Sequence, residues 1–197
     1  MRSETKIAFR HQTFLAAKTV RPVPHAGGLV HDALVQCCLD AEVLQIDFRR
    51  PAESAASGLA AFEFISVLRR DGAYFLDIVP ARPLRSLSDH DRIETMMARL
   101  GLRPLTITAG DIMREPRFSA ARTVWRHRHF RTTPETRQRI VRALSDEVSL
   151  SIDELCTLVP GPQEPMQSVM SMACADLVEI EIKNCPIGLK TKVRSRI

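Results

Sequence analysis

The chain has 197 residues, of which 45% are apolar, with 8 glycines and 12 prolines; that much apolar material can build a sizeable core and excludes wholesale disorder. Its 28 Lys and Arg against 23 Asp and Glu give a net charge of +5, and the length predicts one or two domains. No run approaches the roughly 20 uninterrupted apolar residues of a membrane span, and Met1 to Arg10 carries charges without an apolar core, so neither a span nor a secretion signal is expected.

Gly27 and Gly28 precede Val30, Leu34, Cys37, Ala41 and Leu44 at helical spacing, which predicts an amphipathic helix over Leu29 to Glu42. Val43 to Phe48 follows as a short strand, closed by Arg49, Arg50 and Pro51, and Ala52 to Gly58 is a small-residue loop. Ala61 to Leu68 and Ala73 to Val79 are rich in β-branched and aromatic residues, and Arg70, Asp71 and Gly72 between them predict a hairpin turn. Ser88 with Asp91 resembles a capping box for a helix whose buried face is Ile93, Met96, Met97 and Leu100, stopped by Gly101. Leu105 to Thr108 reads as a buried strand, Asp111 as the cap of a following turn, and Phe118 to Phe130 as a helix with Trp125 on its apolar side. Helix, strand, hairpin, helix, strand and helix in that order predict an α/β domain with a mixed sheet over residues 1–131.

Thr132, Thr133 and Pro134 make a break with an N-cap and a proline at the first helical position, and a second domain over residues 132–197 is expected from there. It contains three helical patterns, Pro134 to Ser145, Ile152 to Val159 with a Ser151 and Glu154 capping box, and Pro165 to Asp176. Two strands, Leu177 to Lys183 and Leu189 to Arg196, close the chain. Three helices and a hairpin are the order of a winged helix. The cysteines, Cys37, Cys38, Cys156, Cys174 and Cys185, are odd in number and lack the spacing of a zinc site; Cys37 and Cys38 fit small buried hydrophobes, and the setting expected is a reducing cytoplasm.

Three groups could carry chemistry. Asp32, Glu63 and Asp77 are acids that a metal-dependent nuclease would converge on Mg²⁺, a cation that takes hard oxygen ligands. The competing assignment makes Asp32 a solvated helix residue, Glu63 an edge-strand charge and Asp77 an ion-pair partner of Arg82 or Arg85. The second group is the run Arg122, Arg126, His127, Arg128, His129, Arg131, Arg137, Arg139 and Arg142, where Glu135 is the only acid; such charge density attracts phosphates. The third is the winged-helix pattern. Its expected recognition helix and the residues just before it offer Gln163, Glu164, Gln167, Ser168 and Ser171 but no Lys or Arg, while the wing offers Lys183, Lys190, Lys192, Arg194 and Arg196, suited to backbone rather than base contacts.

A helix with an acid, a strand, then a hairpin turning at Asp71 and Gly72 resembles the PD-(D/E)XK nuclease core, and in particular the TnsA-type transposon endonucleases. Phe62, Glu63 and Phe64 stand where that family has its Pro-Asp-Phe pattern. Asp77, Ile78 and Val79 stand where it has an acid or Gln, a spacer and a lysine, so Val79 replaces the lysine. The resemblance implies a nuclease-like mixed-sheet domain followed by a winged helix, with a degenerate catalytic centre to which Arg82 could supply a cation from the neighbouring loop. The expected function is a DNA-binding or assembly component in transposition, another mobile-element process or regulation, acting on double-stranded DNA with a transposase or other protein partner and no cofactor. Two alternatives stand beside it: an active Mg²⁺-dependent DNA endonuclease, and a winged-helix adaptor between proteins.

Overall fold

The computed structural model describes residues 12–49, 63–82, 86–161 and 164–196. The architecture is mixed α/β, with seven helices and a four-stranded mixed sheet among the described residues. A small antiparallel pair, β1 (Gln12–Phe14) and β2 (Val23–His25), precedes α1 (Gly28–Leu39). The main sheet has the order β3 (Val43–Arg49), β4 (Phe64–Arg69), β5 (Gly72–Ile78) and β6 (Arg103–Ile107). Its first two pairs are antiparallel; β5 and β6 are parallel and are joined through α2 (Leu87–Arg99), the crossover a parallel pair requires. The expected loop over Ala52 to Gly58 and the residues Ala61 and Phe62 lie outside the described residues.

Alternation along the strands divides the apolar side chains between two layers. Ile46, Val67, Leu76 and Ile78 pack on the side of α1, while Phe64 and Phe75 face Ile93 and Met97 of α2 together with Leu102. The hairpin turns through Arg70 and Asp71, and Gly72 closes it at φ +143°, where a side chain would be strained. A Cβ at Gly72 would also fall 2.5 Å from Arg103 Nη2, which donates to the Asp71 carbonyl and to Tyr74 Oη, both at 2.6 Å. The cap of α2 is Ser86, whose hydroxyl accepts from the Asp89 N–H; the expected Ser88 and Asp91 lie inside the helix.

After β6 come α3 (Ala109–Ile112), capped by a reciprocal Thr108 and Asp111 box, and α4 (Arg117–Trp125), which ends before the expected Phe130. Thr133 caps α5 (Pro134–Asp146) with Pro134 in its first turn, so the predicted break is where a new helix starts. It is followed by β7 (Leu150–Ser151), α6 (Ile152–Leu158), α7 (Pro165–Cys174), β8 (Val178–Ile180) and β9 (Lys192–Ser195). The last three strands form an antiparallel sheet with β9 in the middle; β7 is a strand the sequence pattern did not reveal, and β8 and β9 are shorter than expected.

Elements on both sides of the Thr132 break share one core. Val169, Met170 and Met172 of α7 are almost fully buried with Leu34, Val124 and Ile140. At about 1.5–3 kcal/mol per buried side chain, these three contribute roughly 5–9 kcal/mol, comparable with the net stability of a whole domain. Polar bonds cross the break as well: Ser171 Oγ donates to the Phe130 carbonyl at 2.7 Å, and Cys174 Sγ lies 3.5 Å from the Val124 carbonyl. Lys18, buried, donates to the Asp40 carbonyl at 2.6 Å and pairs with Asp176 at 3.4 Å, and Asp176 also pairs with Arg196. No helix among the described residues is long and apolar enough to cross a membrane.

Candidate functional site

The antiparallel register of β4 and β5 pairs Ser66 with Phe75, which carries the start of β4 and the end of β5 to the same edge of the hairpin. Glu63 and Asp77 therefore line one open cleft of about 220 Å³, together with Val30 at the first turn of α1, Phe48 and Arg82. A 3₁₀ turn over Val79–Ala81 folds the chain back there, closed by the Arg82 N–H donating to the Ile78 carbonyl. The turn brings the Arg82 guanidinium onto the buried Asp77, with Nη1 donating to Oδ2 at 2.8 Å. Val79, which the sequence resemblance sets against a lysine, sits in that turn.

Asp32 does not join the other two acids. It points towards α4, with Oδ1 3.9 Å from Arg122 Nε and 3.8 Å from His31 Nδ1. Among the described residues no group of three or more His, Cys, Asp and Glu side chains could hold a metal ion. Two carboxylates share the cleft, and one is bound to a guanidinium that cannot lose its proton. This donor set does not fit Mg²⁺, which asks for several oxygen ligands in near-octahedral order, and no chemical step is assigned to a metal here.

The sequence pattern also passed over Asp47. It is buried on β3 between Arg21 Nε at 2.8 Å and Arg49 Nε at 3.2 Å, two cations on one acid. A second shallow cleft beside it contains Arg21 and shares Pro24 and Phe48 with the first. Its sequence signal was a lone acid within the strand pattern Val43 to Phe48. Arg21, Arg49 and Arg82 thus stand against Asp47, Glu63 and Asp77 around the joined clefts, and Asp47 and Asp77 are each held by a guanidinium rather than left open to a metal.

Every arginine of the predicted basic run is exposed. Arg122 lies over the Phe118 ring, Arg128 packs on Trp125 and donates to its carbonyl at 3.3 Å, and Arg139 pairs with Glu135 at 2.7 Å. The guanidiniums of Arg126, Arg137 and Arg142 have no acid or hydrogen-bond partner among the described residues, so their charge is directed to solvent. Trp125 itself is buried and stacks on Phe14 at 5.1 Å between centroids, an anchor for α4 and not an exposed stacking platform. His127 is held below its ordinary value by burial and stays neutral near pH 7.

The expected recognition helix behaves differently. In α7 Ser168 is fully buried and Ser171 is spent on the Phe130 carbonyl, so neither can read a base edge. Gln167 donates to Glu164 at 3.2 Å, and Gln163 lies outside the described residues. Of the wing cations, Lys183 pairs with Asp40 and Lys192 with Glu154, while Lys190 and Arg194 are exposed without such partners among the described residues. Small hydroxyl side chains fit a tight helix crossing as readily as a groove, and here the core of both halves took them. In comparison with known proteins, the chain matches no family model and no curated protein.

Proposed function

We propose that the protein binds duplex DNA through its phosphate backbone, using a nuclease-like α/β unit with a degenerate catalytic centre joined to a winged-helix unit. It would serve as a DNA-binding or assembly component in transposition, another mobile-element process or regulation, alongside a transposase or other protein partner. The observation that carries this reading is the exposed basic surface of α4 and α5, on which Arg126, Arg137 and Arg142 have no internal acid. Phosphates are the ligands such unneutralised guanidiniums pair with, and counterion release favours the association. The order α1, β3, β4, β5, α2, β6 with a parallel last pair supports the nuclease-like comparison. The order α5, β7, α6, α7, β8, β9 supports the winged-helix one. Because α7 is buried, binding is expected to be tolerant of sequence.

A second reading, an active endonuclease, draws on one observation: Glu63 and Asp77 line the same cleft. Arg82 on Asp77 and Val79 in the lysine position weigh against it, since losing one positioned donor to a developing charge costs about 10²–10³ in rate. The discriminating experiment is a duplex titration across salt beside a supercoiled-plasmid assay with Mg²⁺ or Mn²⁺. Wild type should bind and not cut. Cutting by wild type that disappears in the Glu63→Ala, Asp77→Ala double variant would replace this reading with the endonuclease, and cutting gained only by Val79→Lys would mark a retired site.

A further inference from the structure

A separate cavity of about 250 Å³ lies towards the C-terminal end of α1, enclosed by α1, α3, the first residue of α4 and the adjoining face of the sheet. It is more enclosed than the cleft at Asp77 and shares no lining residue with it. Two guanidiniums line it, Arg69 from β4 and Arg117 from α4, and each is short of partners. The nearest acid to Arg69 is Asp71, 3.4 Å from Nε, and the nearest to Arg117 is Asp40, 3.8 Å from Nη2. Neither guanidinium makes a hydrogen bond to the described residues, and Arg117 Nε is sealed from solvent without an acceptor. Buried donors in folded proteins are nearly always paired, so an orphan of this kind points to an acceptor supplied from elsewhere.

Asp40 does not satisfy the orphan Nε: its Oδ2 lies 3.8 Å from Arg117 Nη2, beyond hydrogen-bond distance, and its other oxygens are engaged elsewhere. Its Oδ1 accepts from the Glu42 N–H at 3.2 Å and from Lys183 Nζ at 3.3 Å, and its carbonyl takes Lys18. Around the cavity and the ion network behind it stand Lys18, Arg69, Arg114, Arg117, Lys183 and Arg196, against the acids Asp40, Asp111, Asp176 and the exposed Asp71, and Asp111 is taken up by Arg114 and Thr108. Behind the cavity, burial first and the Arg196 charge second bring the Lys18 ammonium down to about 8. Gln36, almost fully buried, spends its NH₂ on the Ile112 carbonyl at 2.6 Å and keeps Oε1 free to accept a ligand hydroxyl.

We propose that this cavity is a binding site for a compact anion bearing a phosphate or carboxylate group, clamped between Arg69 and Arg117. Planar guanidiniums bond such oxyanions two at a time, which a single ammonium cannot do. The volume lies below the roughly 300–1,000 Å³ of sites for drug-sized ligands, so the occupant is a small phosphate ester, free phosphate or a short carboxylate and not a dinucleotide. The site is independent of DNA binding by the exposed arginines.

The test is calorimetric titration of the full chain with inorganic phosphate and, in a second arm, succinate, at ionic strength held constant with chloride. Wild type and the surface variant Arg126→Gln, Arg137→Gln, Arg142→Gln should bind one anion with the same affinity. Arg69→Gln with Arg117→Gln should weaken it at least about tenfold, the loss expected for charged hydrogen bonds. If circular dichroism shows that double variant unfolded, Arg117→Lys, which keeps the charge and loses the fork, is read for the same weakening. Tighter binding of phosphate or of succinate assigns the headgroup. Absence of saturable binding of both by wild type, or binding that survives the cavity variants and is lost in the surface variant, overturns the proposal.

Discussion

Removing the charge of Arg126, Arg137 and Arg142 together, each to Gln, isolates the phosphate contacts from the fold. These three side chains are exposed and bond nothing among the described residues, whereas Arg122, Arg128 and Arg139 also hold Asp32, Trp125 and Glu135. If each neutralises one phosphate, the plot of log affinity against log salt should flatten by about 0.9 per contact, hence by about 2.7 for the set. Between 50 and 200 mM salt the gap between wild type and variant should then narrow by about 40-fold, and by the same amount for unrelated duplexes. Fluorescence anisotropy with two duplexes of different sequence at four salt concentrations measures it, with thermal melts to confirm an unchanged fold. An unchanged slope, or a loss confined to one sequence, would refute backbone binding by this surface.

Ser151→Ala should cost about 1 kcal/mol in urea unfolding, because its hydroxyl caps α6 by accepting from the Glu154 N–H. The Ser151 backbone N–H, then its hydroxyl, hold the Glu154 carboxyl down at about 2 from an ordinary 4.5. Stability from that carboxylate is present above pH 4.5 and lost as pH falls towards 2, so Glu154→Gln should flatten the acid limb of the stability curve. Lys18 has the opposite sense: with its folded pKa lowered to about 8 from 10.5, the unfolded chain binds more protons between those values. Stability should therefore gain with pH across that window in wild type relative to Lys18→Met, checked by urea melts at pH 7, 9 and 10.5. A fragment ending at Arg131 loses Val169, Met170 and Met172 from its core and should give a poorly dispersed NMR spectrum; sharp dispersion would show that the two halves fold independently.

What the sequence revealed follows the range of the forces involved. The hairpin, the Ser151 and Glu154 box and the start of α5 depend on neighbours a few residues apart, and all three are where the spacing predicted. Within the candidate site, the shared cleft of Glu63 and Asp77 was readable because a hairpin fixes which residues meet. The fate of Asp32 was not, since Arg122, 90 positions away, decides it. Ser168 and Ser171 looked like groove readers by residue type alone, and the burial of the first and the bond of the second to the Phe130 carbonyl depend on α7 packing against α4, α5 and α6. The pair β1 and β2 escaped notice because three-residue strands, one holding Pro24, are too short to display a period.

The Arg103 contact at the hairpin turn bears on how the chain reaches its native sheet. The β4 and β5 hairpin closes locally, but β6 can pair only after the chain has returned along α2, so the parallel pair is the non-local and slower event. A one-residue slip of β6 would move Leu105 and Ile107 off the α1 side and would also carry Arg103 away from the Asp71 carbonyl and Tyr74. Gly72, having no side chain, leaves the passage through which the guanidinium tests that alignment. The turn thus ties the hairpin to the parallel strand, since Arg103 meets the Asp71 carbonyl and Tyr74 in the observed register.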